Sequence, residues 1–249
     1  MANDIFDFKR VEKKYLLSTE QYIAITDGLL DFCEKDDYGE YPVFNVYYDT
    51  DDYYLIRRSL DKPFFKQKMR VRSYGKAEKE TRIFLELKRK CDGVVFKRRT
   101  KISTENAEKL LSGEILPSSQ TEKELANFAA RFPVKPKVFI GYEREAYKGK
   151  SDQTLRITFD KNIRFRTASP TLYRSDGTKI LSDGLYLMEI KFSLNPPAEL
   201  AKLLSTVRAY PTSFSKYGKA FENFIAPELF YPHFTNAKQN YFKEDYEIA

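Results

Sequence analysis

The nine residues RIFLELKRK, from Arg82 to Lys90, constrain the fold more tightly than any other stretch of the chain. Their Ile, Phe and Leu content favours a β-strand. Period-two alternation then puts Arg82, Phe84, Glu86, Lys88 and Lys90 on one face, and Ile83, Leu85 and Leu87 on the other. One face must be covered by apolar partners, and the other gathers cations around a single carboxylate.

The same parity recurs along the chain. Arg10, Glu12 and Lys14 share a face against Val11 and Tyr15, while Lys66, Lys68, Arg70 and Arg72 oppose Phe65, Met69 and Val71. Lys97, Arg99 and Lys101 line up with Val95, opposite Val94 and Phe96. Arg156, Thr158 and Asp160 oppose Leu155, Ile157 and Phe159; Arg164 and Arg166 oppose Ile163 and Phe165; Glu189 and Lys191 oppose Met188, Ile190 and Phe192. A half-buried antiparallel sheet with a wet polar face explains any one of these strands. It explains the set less well, because like charges facing each other across strands destabilise a sheet. The carboxylates are concentrated at Glu12, Glu86, Asp160 and Glu189. Such a surface is tolerable when an anion sits on it.

Strand-like alternation marks residues 8–17, 41–49, 64–74, 82–90, 93–102, 137–147, 153–160, 162–167 and 184–193. Helices are expected from Ser18 to about Phe32, over Thr104–Ser112 up to Gly113, and over Gln120–Arg131 behind Ser119-x-x-Glu122. Two more follow Pro196-Pro197 and cover 216–225. With no low-complexity linker, the expectation is a single α+β domain over 1–249. Its antiparallel sheet closes into a β-barrel with a charged lumen and helices on the apolar outside.

Composition narrows the chemistry. An excess of 43 Lys and Arg over 36 Asp and Glu gives a net charge of +7, which suggests an anionic partner. Cys33 and Cys91 lack CxxC spacing and His233 is the only histidine, so a zinc site or a Cys-His or Ser-His pair has almost no material. Any metal would be a hard ion held by carboxylates and phosphate. No run approaches the roughly 20 apolar residues of a membrane span and the N-terminus has no signal-peptide core, so no membrane span and a cytoplasmic location are expected. Gly149-Lys150-Ser151 resembles the end of a P-loop, but Arg144 stands where its first glycine belongs. A lumen of Lys and Arg with a few Glu suits a string of phosphates accompanied by a divalent cation.

The segments RVEKKYLL (10–17), VYYDT (46–50), MRVRSYG (69–75), FLELKRKCDGVVFKRR (84–99), YEREAY (142–147), LRITFD (155–160), LMEIKF (187–192) and FSKYGKAF (214–221), in this order and spacing, resemble a VTC domain. This is the polyphosphate polymerase domain of the CYTH-like, or triphosphate tunnel metalloenzyme, superfamily, and the resemblance spans roughly 8–226, leaving the tail 227–249 unassigned. It implies a closed antiparallel tunnel in which ATP or another triphosphate and polyphosphate bind, with Mn²⁺ or Mg²⁺. It further implies phosphate-binding or transfer roles for Arg10, Lys14, Arg70, Arg72, Lys88, Lys97, Arg99, Arg144, Arg156, Lys191, Ser215 and Lys216. Glu189 is implied as metal ligand, with Glu12 and Glu86 as further candidates. The KRR run leaves the register of Lys97 open between it and its neighbours. Tunnel hydrolases begin with Glu-x-Glu-x-Lys, whereas this chain has Arg10-x-Glu12-x-Lys14, which favours the polymerase branch. The regulatory phosphate-sensing domain and the membrane helices of the eukaryotic pattern have no match in this sequence, so coupling to transport does not carry over.

Two other classes stay open at this point. One is a tunnel triphosphatase cleaving tripolyphosphate or nucleoside triphosphates, using Glu12 or Glu86 to orient water. The other is a non-catalytic polyphosphate or polyanion binder. Its nucleic-acid version draws on the 18 Tyr and 20 Phe as stacking platforms, but Phe65, Phe96 and Phe159 fall on the apolar faces and read as core, so no nucleic acid is expected. Ser215 reads equally well as a helix cap.

Overall fold

The computed structural model describes residues 11–230 except Gly93 and Leu194. The strands are β1 (Val11–Leu17), β2 (Cys33–Asp49), β3 (Phe65–Ser73), β4 (Arg82–Cys91), β5 (Val94–Ser103), β6 (Lys135–Gly149), β7 (Arg156–Arg166), β8 (Thr178–Lys179), β9 (Tyr186–Phe192) and β10 (Pro211–Thr212), all expected from the sequence except the two-residue β8 and β10. The helices are α1 (Thr19–Leu29), α2 (Tyr54–Leu60), α3 (Thr104–Ser112), α4 (Gln120–Arg131), α5 (Ala198–Thr206), α6 (Lys216–Ala220) and α7 (Ala226–Phe230), with a π-helical turn over Phe221–Ile225. Ser18 and Gln21 form the reciprocal capping box of α1, Ser103 caps α3, and Ser119 caps α4. Each satisfies backbone N–H groups that a helix start leaves unpaired. Arg10, His233 and the residues beyond Phe230 lie outside the described residues. No described helix is long and apolar enough to cross a membrane.

All pairings are antiparallel, in the order β10-β1-β9-β7-β6-β2-β3-β4-β5, with β8 on β7. The apolar parity predicted for β4 packs outward: Leu85, Leu87 and Met69 meet Leu110 of α3 and Leu125 and Phe128 of α4. On the other half, Ile157, Met188 and Ile190 meet Ile25 and Leu29 of α1 and Leu200 of α5. Each fully buried side chain of this size contributes about 1.5–3 kcal/mol. A third cluster sits on the opposite face of the sheet, where α2, α6 and the π-turn set Ile56, Tyr217 and Phe221 against Val43, Ile140, Phe165 and Leu187.

The sheet is strongly curled. Along the order, β1 and β3 stand five strands apart, which in a flat sheet would be about 24 Å. Yet Lys14 of β1 donates to the Phe214 carbonyl at 2.9 Å, and Lys68 of β3 donates to the adjacent Ser215 hydroxyl at 3.1 Å. The barrel expected from the sequence is nonetheless not closed by hydrogen bonds, since β10 and β5, the ends of the sheet, share no ladder among the described residues. The edges explain this. β10 is two residues long and one is Pro211, which has no N–H to donate, while β5 is a cation-rich edge strand of the kind that resists pairing. The segment Phe214–Lys216 reaches both walls instead.

Other departures have local causes. Residues 153–160 and 162–167 form one strand, β7, broken by a register shift opposite Gly141–Glu143, with Asn162 in the left-handed region at φ 51°. The extra residue reverses the parity: Ile163 and Phe165 join the inner cluster, and Arg166 ties down a loop by donating to the Ala168, Thr171 and Asp176 carbonyls. Helix α2 was not expected from the sequence. Its start is capped from a distance, with the Asp49 carboxylate accepting from the N–H groups of Leu55 and Ile56. Of the three aromatics assigned to the core, Phe159 is buried, whereas Phe65 and Phe96 are 43% and 54% exposed. They lie at the end of the β3–β4–β5 blade with the exposed Phe64, Val94 and Val95, beyond the core that α3 and α4 complete. Gly149 makes the tight β6–β7 turn, where a Cβ would come within 2.4 Å of the Asp152 carbonyl, so the P-loop likeness is a turn.

Candidate functional site

The charged parity of the strands converges on the concave face. Its centre is Asp160 of β7, fully buried, which accepts two bonds from the Arg144 guanidinium at 2.6 and 2.7 Å and one from Lys216 Nζ at 2.5 Å. Beside it, Glu189 of β9 has Lys14 at 3.3 Å, Lys216 at 3.5 Å, Lys191 at 3.7 Å and Arg144 at 4.0 Å. Glu12 completes the group, 3.6 Å from Lys14 and 3.9 Å from Lys191. Burial works against the charge on both inner carboxylates. The neighbouring cations outweigh it, with Lys216, Lys14, Lys191 and Arg144 holding Glu189 well below the usual carboxylate range, and Arg144 and Lys216 lowering Asp160.

A second group forms on β3, β4 and β5. Glu86 is buried and faces Lys97 at 2.6 Å, Arg70 at 2.8 Å and Arg99 at 3.3 Å. Against the effect of burial, Arg70, Arg72 and Lys97 bring its carboxyl down to about 2. This settles the KRR register: Lys97 and Arg99 face inward, and Arg98 faces out to Glu124 at 2.9 Å. Arg70 also donates to the Tyr47 hydroxyl at 3.0 Å, and Arg72 donates to Asn45 Oδ1 at 2.8 Å and the Tyr142 hydroxyl at 3.3 Å. These bonds hold planar guanidinium forks in fixed orientation, the arrangement that recognises a phosphate through two oxygens at once.

Between the two groups, Lys68 and Lys88 pair across β3 and β4. Burial, with the charges of Lys14, Lys66 and Lys88 and against the pull of the Tyr47 phenol, pushes the Lys68 ammonium down to about 8. Arg156 stands at the rim and bonds Asp36 at 2.9 Å. Ser215 is the cap of α6, accepting from the Gly218 N–H at 3.1 Å as well as from Lys68. Sequence reasoning placed Asp160 and Lys68 on charged faces without giving either a role, and did not single out Asn45, Tyr47 or Tyr142. Asp160 had a visible signal, since it shares parity with Arg156 and Thr158. Asn45 and Tyr47 had none, because β2 reads as an apolar run, and neither had Tyr142 of β6.

The carboxylates bear on metal binding. No cluster of three or more carboxylate, His or Cys groups that could hold an ion occurs among the described residues. Asp160 is committed to Arg144 and Lys216, and Glu86 is closely paired with Lys97 at 2.6 Å and Arg70 at 2.8 Å, whereas the cations around Glu189 stand at 3.3 to 4.0 Å, which argues against Glu86 as a ligand. Glu189 and Glu12 remain. The buried Thr158 hydroxyl, opposite Glu189 in the β7–β9 pairing, has no hydrogen-bond partner among the described residues. This donor set fits a hard cation that arrives already coordinated by phosphate oxygens, and does not fit a bare one.

The model of the VTC domain family matches residues 9–225. No curated protein sequence matches the chain. Among solved structures, a candidate adenylate cyclase from Bacillus halodurans shares 16% identity over 83% of this chain and 93% of that one, with a TM-score of 0.53. A candidate adenylate cyclase from Vibrio parahaemolyticus shares 12% identity over 84% and 96% of the two chains, with a TM-score of 0.48. The first likeness shows a shared fold of antiparallel sheet and flanking helices.

Proposed function

Because the chain belongs to the VTC domain family, we propose that it is a metal-dependent phosphotransferase of the polyphosphate polymerase type, a single tunnel domain that transfers the terminal phosphate of ATP to a growing polyphosphate chain. The observation that carries this reading is Glu189 held among Lys14, Arg144, Lys191 and Lys216 on the concave face. In this reading Arg144 and Lys216, oriented by Asp160, and Arg70 and Arg72, oriented by Glu86, Tyr47, Asn45 and Tyr142, grip the donor phosphates. Lys14, Lys88 and Lys191 bring the acceptor end into line, with Lys97, Arg99 and Arg156 adding charge neutralisation. The end of a polyphosphate chain is already an anionic oxygen nucleophile and needs no general base, so positioning and neutralisation supply most of the catalysis. Glu189, with Glu12, would hold Mn²⁺ or Mg²⁺, which when bound neutralises charge developing on the leaving phosphate.

A triphosphatase is the second reading, and Glu12 is the observation that favours it. With Glu86 held by three cations, Glu12 is the carboxylate left to orient a water. The test is incubation of the purified protein with ATP and Mn²⁺ or Mg²⁺, with products resolved on a gel that separates polyphosphate from phosphate. Chains longer than the donor triphosphate are expected. Release of only orthophosphate or pyrophosphate assigns the hydrolase, and polyphosphate binding without either assigns a passive binder.

Lys68 adds a pH signature. Its folded value of about 8 lies below the ordinary lysine value near 10.4, so between these limits the unfolded chain binds more protons and stability without ligand rises with pH. A bound polyphosphate reverses the shift by neutralising Lys14, Lys66 and Lys88. Binding at about pH 8.5 should therefore take up a proton fraction, read by calorimetry as a heat that differs between Tris and HEPES. Lys68→Met should shrink that difference, and equal heats in both buffers for the native protein would refute the linkage.

A further inference from the structure

The end of the β3–β4–β5 blade is an apolar tip that α3 and α4 leave uncovered. Phe64 is 70% exposed, Val95 48% and Val94 40%, beside the exposed Phe65 and Phe96, and none of the five belongs to a core cluster. The ladder nevertheless runs to the end of the strands. Phe65 pairs with Cys91, Cys91 pairs with Val94, and the Asp92 N–H donates to the Phe64 carbonyl at 3.0 Å. A hydrogen-bonded frame therefore holds these side chains out. Alternation sets Phe65, Val94 and Phe96 on the outer face and Val95 on the inner one, so the tip is apolar on both sides. Cations collar it. Lys62, Lys66 and Lys90 have no carboxylate within 4.0 Å among the described residues, and Arg89 and Arg98 share Glu124. These five outnumber Asp61, Asp92 and Glu124, the carboxylates that flank them, on a chain whose net charge is +7.

We propose that this tip docks the protein on an anionic lipid bilayer, with its aromatic side chains entering the boundary between headgroups and acyl chains. Area favours this occupant. A whole aromatic side chain presents about 150–250 Å², so the five residues together offer on the order of 500 Å². That is a patch of the size that marks an interaction site, yet it falls short of the roughly 800 Å² that each partner contributes to a standard protein interface. Shape points the same way. A second copy or another protein covers one face of a strand, whereas a bilayer surrounds a tip that is apolar on both. The β5 edge sets the depth: its unpaired N–H and C=O groups cannot enter hydrocarbon, so insertion stops in the interfacial layer, about 5–10 Å deep. There the lysine stems lie along the acyl boundary while their ammonium groups meet lipid phosphate. Phe65, Val94 and Phe96 face away from the concave surface, so docking leaves the Glu189 centre open.

The chain contains no Trp, so Phe96→Trp introduces a single fluorescent reporter at the tip. On vesicles of phosphatidylcholine and phosphatidylglycerol its emission should shift to the blue and be quenched by acyl chains brominated near the headgroup. Tyr38→Trp, at an 80% exposed position beyond the opposite end of β3, should report neither change. In sedimentation with the same vesicles, Phe65→Ser/Phe96→Ser should bind about tenfold or more weakly than the native protein. It should melt with it, since neither side chain is part of the core. Binding should weaken with salt and on pure phosphatidylcholine. Tripolyphosphate at matched ionic strength should not release the protein. Absence of the blue shift, equal binding by the double variant, or equal binding to pure phosphatidylcholine would each overturn the inference. Release by tripolyphosphate would overturn it by placing lipid phosphate on the concave face, and a concentration-dependent dimer lost in the double variant would assign the tip to a second copy. None of these measurements reads turnover, so the docking stands or falls apart from the phosphotransferase reading.

Discussion

Glu189→Gln is expected to slow chain growth on the order of 10²–10³-fold, the loss usual when one preorganised charge stabiliser is removed from a reacting centre. The amide keeps the shape of the side chain and removes the charge that would hold the metal, so phosphate binding should persist. With one anion fewer among Lys14, Arg144, Lys191 and Lys216, it should even tighten. Lys191→Ala supplies the contrast by weakening binding and turnover together. Gel analysis of products beside a binding titration separates the two cases. A Glu189→Gln protein that still makes chains at the native rate would remove Glu189 from the mechanism.

Asp160→Asn is expected to cost about 3–5 kcal/mol of stability, the usual consequence of removing one partner from a buried ion pair, with Glu189 placing it toward the lower end. The amide keeps the volume but leaves the Arg144 fork and Lys216 without their shared counter-charge, and Glu189, at 3.5 and 4.0 Å, replaces it only in part. The pH dependence has a definite sign. Because Asp160 is lowered in the folded protein, its contribution is complete above the ordinary carboxylate value near 3.9 and is lost as pH falls through the folded value. Urea denaturation should therefore show a constant gap between variant and native protein at neutral pH that narrows in strong acid. Tripolyphosphate should recover part of the loss, since it offers the two cations a new anion. An unchanged midpoint at pH 7 would mean that Asp160 does not organise the site.

Much of this architecture is legible in the sequence because half-buried strands record their two faces residue by residue. The parity of β1, β3, β4 and β9 was correct, and so was the placement of Glu86, Lys88, Glu189 and Lys191 on one surface. The reading failed where local pattern and geometry part company. One extra residue at Asn162 reverses the parity of the second half of β7, and nothing in KNIRFR announces it. Helix α2 is stabilised by Asp49, a residue of the preceding strand, so its start carries no conventional cap. Phe65 and Phe96 have the right parity for a core, but burial also requires something to pack on them, and the helices stop short. The expected closure fails in part because the edge strand β10 has only two residues, too short a segment to read from sequence.

The bond from Lys14 to the Phe214 carbonyl joins residues 200 positions apart, and with the bond from Lys68 to Ser215 it lets the segment that leads into α6 span the two walls of the site. Contacts this distant along a chain form late, after hairpins such as β3–β4–β5 and their covering helices have organised. Folding therefore has an order in time: the β3–β4–β5 blade and its covering helices can form while β1 is still far from β9 and Lys14 is still far from both Glu189 and the Phe214 carbonyl. Affinity for phosphate then serves as a clock, silent through the assembly of the scaffold and starting only when the two remote ends of the fold meet.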